Sequence, residues 1–227
     1  MDSYSMTEKI KGIIFDFDGL ILDTETPELE AWEKAFFENG LIFPSARYLE
    51  GIGVVSDNLY VQDIIREMAH SDAQVQKINR DYQRFVAQSD AMNQPRAGIM
   101  DLIHDAEKLG LLLGIASSSY RVWVESNLQR LDLISHFDPI CTRDDVTHSK
   151  PDPELYNLVR SRWDFSPQEV FVLEDSPNGI KAAKNADLFC VAVTNPITSQ
   201  MDVSQADMVF SSFLDFSLHE FLIKIAN

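Results

Sequence analysis

Residues 12–19 read GIIFDFDG. The apolar run over 12–17 suits a short buried strand, and two carboxylates, Asp16 and Asp18, stand where it ends. Side chains at i and i+2 of an extended chain point to the same side, so this spacing aims both carboxylates at one place. Taken alone, acids at a strand end often only start a turn. The rest of the chain decides between turn and chemistry.

Immediately downstream the apolar period changes from strand to helix. Thr26-Pro27 offers an N-cap followed by a proline at the first helical position. Leu29, Trp32 and Phe36 follow at helical spacing, and Gly40 stops the helix. Two more helices are expected over 57–69 and 73–88, the second lined by Val75, Ile78, Tyr82 and Phe85 and capped by Ser71 or Asp72. Residues 20–92 therefore read as a small helical bundle.

The segment NQPRAG (93–98) leads back to alternating elements. Strands are expected at 111–116, 138–141, 170–173 and 189–193, with an edge strand at 207–210. Helices are expected near 98–109, 120–131, 153–163, 177–186 and 214–225. Such alternation implies an α/β fold: a Rossmann-like, doubly wound parallel sheet. The expected domains are a catalytic core of residues 1–19 and 93–227 and an inserted α-helical cap of residues 20–92.

In doubly wound sheets, ligands bind beyond the carboxyl ends of the strands. Four expected strands end in polar groups there: Asp16 and Asp18; Ser117, Ser118 and Ser119; a loop with Lys150; and Glu174 with Asp175. Ser119 is also expected to cap the next helix, and Asp175 or Ser176 the one after it, with Pro177 at N1. Clustered carboxylates repel unless a cation sits among them, and a hard oxygen donor set favours Mg²⁺. Transferring a phosphoryl group needs positive charge and hydrogen-bond donors around its oxygens. Mg²⁺ and Lys150 supply charge; Ser117 and the N–H groups of the following helix supply donors. A carboxylate nucleophile divides hydrolysis into two steps, and a second carboxylate two residues on serves as acid, then base.

The bulk composition fits. A 227-residue chain that is 45% apolar can bury one large core plus a modest insert. Thirty-six acidic against 19 basic residues give a net charge of −17, which disfavours nucleic acid and anionic membrane surfaces as partners. Cys141 and Cys190 lack metal-ligand spacing and read as buried thiols, in keeping with a cytoplasmic protein. No stretch reaches the ~20 apolar residues of a membrane span, and the first ten residues lack the apolar centre of a signal peptide. His70, His104, His136, His148 and His219 have no ligand spacing, and Trp123 and Trp163 stand too isolated to interpret.

Four motifs, in order, resemble those of the haloacid dehalogenase superfamily: FDFDGLILDTE (15–25), IASSS (115–119), KPDP (150–153) and LEDSPNGIKAA (173–183). The insert is similar to the helical cap of the subfamily holding β-phosphoglucomutases and sugar phosphatases. The resemblance implies Asp16 as nucleophile and metal ligand. It implies Asp18 as acid/base, binding Mg²⁺ through its carbonyl. Ser117 and the backbone of Ser118 would hold the phosphoryl group, Lys150 would neutralise charge, and Glu174 and Asp175 would complete the metal site. Thr24 falls where relatives position substrate or gate the cap. Asp18 argues against dehalogenase and phosphorus–carbon bond cleavage, whose enzymes lack it. The expected function is a Mg²⁺-dependent phosphatase of a small phosphorylated metabolite, a sugar phosphate by family analogy, acting through an aspartyl-phosphate as a monomer. The rival is a phosphosugar mutase, but the cap stretch GIGVVSDNL (51–59) lacks the arginine of such mutases, and Glu28 stands near the place of their histidine. A silent binding protein on the same fold has no need of all these groups together.

Overall fold

The run GIIF forms β1 (Gly12–Phe15), and all four residues are buried because helices cover both faces of the sheet it centres. The structure is a computed structural model that describes residues 10–51, 59–89 and 93–225. With β2 (Leu112–Ala116), β3 (Ile140–Cys141), β4 (Val170–Glu174), β5 (Phe189–Val193) and β6 (Met208–Phe210), β1 builds one sheet in the order β3-β2-β1-β4-β5-β6. Every neighbouring pair is parallel. The chain winds outward from β1 through β2 to β3, then returns to β4 on the other side of β1. The switch point therefore lies beyond the carboxyl ends of β1 and β4.

The two-residue period of a strand sorts the core into two layers. Ile13, Phe15, Phe171, Leu173, Val191 and Val193 face one helical layer. That layer holds α5 (Ile99–Lys108), α6 (Arg121–Arg130) and α9 (Leu218–Ile225). Ile14, Val170, Val172, Cys190 and Ala192 face the other, formed by α7 (Glu154–Trp163) and α8 (Pro177–Asn185). On that second face α7 lies close to the sheet. A Cβ built on Gly114 would stand 2.8 Å from both Trp163 and Val159, so glycine is what admits the indole. Trp163, isolated in the sequence, is thus a packing residue, and its Nε1 donates to the Asp138 carbonyl at 2.8 Å.

The doubly wound α/β reading holds, with local corrections. The strand expected over 138–141 is regular only at Ile140–Cys141, because Pro139 has no N–H for the ladder. The helix expected over 214–225 is a short helical turn, Phe213–Asp215, followed by α9, whose first turn is held by Ser217 Oγ accepting from Glu220 N–H at 3.3 Å.

The chain divides into two compact units, one of residues through Leu22 and from Pro95 onward, the other Asp23–Gln94. Leu20, Ile21 and Leu22 pack in the same apolar cluster as β1, so they belong with the sheet. The second unit contains α1 (Glu25–Glu38), α2 (Ser45–Gly51), α3 (Leu59–Met68) and α4 (Asp72–Ala87). Trp32, Phe36, Ile64, Ile65 and Ile78 fill its core, and the Trp32 and Tyr82 rings stack at 3.7 Å. α2 was not anticipated from the sequence. α1 starts earlier than expected: Thr24 holds the N-cap position, and the Thr26 N–H donates to Asp23 Oδ1 at 3.1 Å, so Thr26 lies inside the helix. Ser71 caps α4 as expected, its Oγ accepting from Gln74 N–H at 3.3 Å. Most of the stretch GIGVVSDNL, residues 52–58, lies outside the described residues, as do residues 1–9.

Candidate active site

Register explains why two acids from distant parts of the chain meet. Phe15 pairs with Leu173, and the Asp16 N–H continues the ladder by donating to the Leu173 carbonyl at 3.0 Å. Asp16 and Glu174 are each one residue further along, on the face of Ile14 and Val172. Like charges side by side on neighbouring strands repel, and here both groups are buried, Asp16 at 8% and Glu174 at 0% exposure. A lysine side chain reaches between them. The Lys150 ammonium donates to Asp16 Oδ1 and, at 2.7 Å, to Glu174 Oε1. Tyr156, from the first turn of α7, donates its hydroxyl to the same Oε1 at 2.7 Å, and its ring lies 4.8 Å from Nζ.

Glu174 is further fixed by its own turn. Its Oε2 accepts from the N–H groups of Asp175 and Ser176 at 2.9 and 3.0 Å and from Ser176 Oγ at 3.1 Å. Ser176 caps α8, accepting from Gly179 N–H at 3.2 Å, with Pro177 at N1 as its sequence suggested. The carboxylate lies against the start of α8, where the helix dipole favours negative charge.

Asp16, Glu174 and Asp175 bring carboxylate oxygens within 4.8 Å of one another, all buried. Asp175 accepts from Asn195 Nδ2 at 2.8 Å. Asp16 is pushed up from its ordinary value, mainly by burial, with the charges of Glu174 and Asp18 adding to it and Lys150 opposing. Burial also acts on Glu174, but Lys150, Tyr156 and the backbone donors overcome it and hold that carboxyl low. For Lys150 burial alone would lower the pKa; the two carboxylates reverse this and keep the ammonium protonated. Three buried acids thus crowd together while the lysine pairs with two of them, Asp16 and Glu174. That surplus of hard oxygen donors and negative charge is what a divalent cation such as Mg²⁺ suits.

Asp18 is placed differently from the other acids. Its carboxylate is outside that trio and accepts at Oδ2 from Ser119 Oγ at 2.6 Å and at Oδ1 from Trp123 Nε1 at 2.8 Å. Ser119 therefore does not cap α6, correcting the expectation. Tyr120 takes the N-cap position, and Asp144 Oδ2 accepts the Arg121 N–H at 2.6 Å. One N–H of that helix start, expected to serve a ligand, is thereby occupied. Ser117 is 1% exposed, with its Oγ accepting from Ser119 N–H at 3.0 Å. The Ser118 Oγ is buried without a hydrogen-bond partner among the described residues. Thr24 is buried within the helical unit and makes no side-chain capping bond.

Four residues of this neighbourhood were missed in the sequence. Asn195 lies just past β5, where the strand-end rule that located the acids would also have found it. Trp123 follows Ser119 by four, the spacing of one helix face. Tyr156 opens α7 in the first turn after KPDP. Arg96 gave no signal: its guanidinium donates to the carbonyls of Gly19 and Val193 at 2.8 and 3.0 Å and of Thr194 at 2.6 Å, tying the loop after β1 to the end of β5. Cys141 is a buried thiol, as expected, and His148 is exposed beside Glu154.

Known proteins resemble this chain along nearly its whole length. The family described as haloacid dehalogenase-like hydrolase matches residues 13–193. YhcW of Bacillus subtilis (strain 168), which carries a provisional phosphatase name, is 36% identical over 213 residues, 92% of this chain and 94% of that protein. The validoxylamine A 7'-phosphate phosphatase of Streptomyces hygroscopicus subsp. limoneus is 29% identical over 209 residues, 90% of this chain and 95% of that one. A β-phosphoglucomutase of Bacillus subtilis (strain 168) is 28% identical over 191 residues, 81% of this chain and 83% of the mutase. Among solved structures, CbbY from Rhodobacter sphaeroides in complex with phosphate superposes with a TM-score of 0.70 at 28% identity, covering 91% of this chain and 96% of that one.

Proposed function

Because this chain belongs to the haloacid dehalogenase-like hydrolases and is an enzyme of the phosphatase kind, we propose that it hydrolyses the phosphate monoester of a small metabolite, a sugar phosphate, through a phosphorylated Asp16. The observation that carries this reading is the register that seats Asp16 beside Glu174, with Lys150 between them at the switch point of the sheet. Asp16, Glu174 and Asp175, with the Asp18 carbonyl, would hold Mg²⁺. The ion would supply positive charge to the phosphoryl oxygens as charge develops on them.

The remaining chemistry belongs to the chain. Lys150 opposes the effect of burial on Asp16, favouring its ionised form, and shares its charge with the incoming group. A carboxylate oxygen of Asp16 attacks phosphorus, and the bond from phosphorus to the ester oxygen breaks. Asp18 gives its proton to that departing oxygen. The Asp18 carboxylate then takes a proton from water, whose oxygen attacks phosphorus, and the bond to Asp16 breaks to release inorganic phosphate. Ser117, Ser118 Oγ and the backbone of this loop hold the phosphoryl oxygens. Thr24 and the cap role of the helical unit Asp23–Gln94 belong to substrate choice, so Thr24→Ala should raise KM more than it lowers kcat.

The test is phosphate release from a panel of sugar and nucleotide monophosphates, with Mg²⁺ and with chelator, for wild type and Asp16→Asn. Release that needs Mg²⁺ and disappears in the variant is expected. Conversion of β-glucose 1-phosphate to glucose 6-phosphate with a bisphosphate primer, without net release from any ester, would replace the phosphatase with a mutase.

A further inference from the structure

Trp123 needs an explanation that packing does not give. It is 37% exposed and belongs to none of the apolar clusters of the described residues. Its one polar atom, Nε1, is spent on Asp18 Oδ1 at 2.8 Å, while Ser119 Oγ meets the other oxygen at 2.6 Å. The two donors lie four residues apart at the start of α6. The Trp123 main chain is held in that helix by its N–H to the Tyr120 carbonyl at 3.0 Å and by its carbonyl, which accepts from Asn127 Nδ2 at 2.9 Å.

The donors differ in kind. An indole N–H donates and never accepts, whereas a serine hydroxyl can turn and do either. A proton on Asp18 Oδ1 would point at the indole hydrogen. A proton on Oδ2 is tolerated, because Ser119 can rotate from donating to accepting. On the reading of Asp18 as acid and base given above, we infer that Trp123 and Ser119 are positioning residues that divide the work of its two oxygens. Trp123 reserves Oδ1 as a permanent acceptor and fixes the carboxylate plane. Oδ2, beside Ser119, is the oxygen that passes its proton to the departing ester oxygen and later takes one from water.

Leaving groups test this. 4-Nitrophenyl phosphate and phenyl phosphate are similar in shape, but 4-nitrophenolate departs without a proton and phenolate needs one. Trp123→Phe should lower kcat/KM on phenyl phosphate by about tenfold or more, and on the nitrophenyl ester by no more than about threefold, since kcat/KM reports only the first step, in which phenolate alone needs the acid's proton, whereas the base step is common to both esters. Ser119→Ala should show the same split, and Ser119→Thr should restore it toward wild type. Asp18→Asn is the reference and should show the largest split. Equal losses on both esters in Trp123→Phe, or no loss, overturn the inference while a split in Asp18→Asn leaves the acid–base reading standing. A split in Trp123→Phe with none in Ser119→Ala overturns the division between the oxygens. Equal losses in Asp18→Asn itself remove the acid–base reading and the inference with it. Because Trp123 is partly exposed, its variant should keep the thermal midpoint, and Ser119→Ala gives a second reading independent of the indole.

Discussion

A methyl group on residue 179 has no room. A Cβ there would stand 1.6 Å from Glu174 Oε1, a carboxylate already pinned by Lys150, Tyr156 and the start of α8. Gly179→Ala should cost about 2–3 kcal/mol of stability, as overpacking does, and lower phosphate release more than tenfold by moving that carboxylate; denaturant midpoints and initial rates check both. Tyr156→Phe removes a donor from a buried carboxylate and should cost about 1–3 kcal/mol. A matching urea titration measures it. Burial raises the Cys141 thiol to about 11, so at pH 8 the group is neutral in the folded protein and reactive thiolate appears only as pH approaches that value. A maleimide should leave Cys141 unlabelled at pH 8 and label it once urea is added; rapid native labelling would contradict its burial. The acids and Lys150 were legible because each follows an apolar strand. Tyr156, Trp123 and Arg96 were not, because their roles come from which helix lands beside which strand end.

At the scale of elements, Arg96 does for the loops what the ladder does for strands. It donates to three carbonyls in the loop after β1 and at the end of β5, and Arg96→Ala removes all three bonds, leaving the Gly19 carbonyl only the Asn195 amide among the described residues. A loss of roughly 2–4 kcal/mol is expected. Hydrogen exchange should quicken in residues 16–22 more than in β4, and uniform exchange would deny the clamp. Every core strand was readable from its apolar run, and the order of helices and strands held apart from α2. What slipped were boundaries decided by single side chains: Ser119 engaged by Asp18, Asp23 meeting the Thr26 N–H, Pro139 without an N–H. In each case a competing hydrogen bond, or the lack of one, outweighed local preference. α2 was missed because seven residues hold too few turns for a period to show.

For the molecule as a whole, the net charge of −17 opposes an anionic substrate. A phosphate monoester approaching such a surface is repelled over about 10 Å at moderate salt, and added salt screens that repulsion. At saturating Mg²⁺, kcat/KM should therefore rise about two- to fivefold as NaCl increases from near zero to roughly 0.1 M, and kcat should stay nearly constant. A fall with salt would point to local attraction that outweighs the global field. The charge balance was legible from composition alone; the crowding of three buried acids around one lysine required the fold.

The pairing of Phe15 with Leu173 also bears on how this enzyme can change over generations. On the proposed reading, substitution at Asp16 or Glu174 alters the chemistry and leaves the sheet in place. Deleting one residue inside β1 does the opposite: every side chain beyond the deletion moves to the other face, so Asp16 would turn toward the layer of α5 and α9 while Phe17 took its place beside Lys150. Length is therefore frozen in these four residues even where identity is negotiable. Lineages of this fold have room for insertions between the elements and almost none within the strand that begins them.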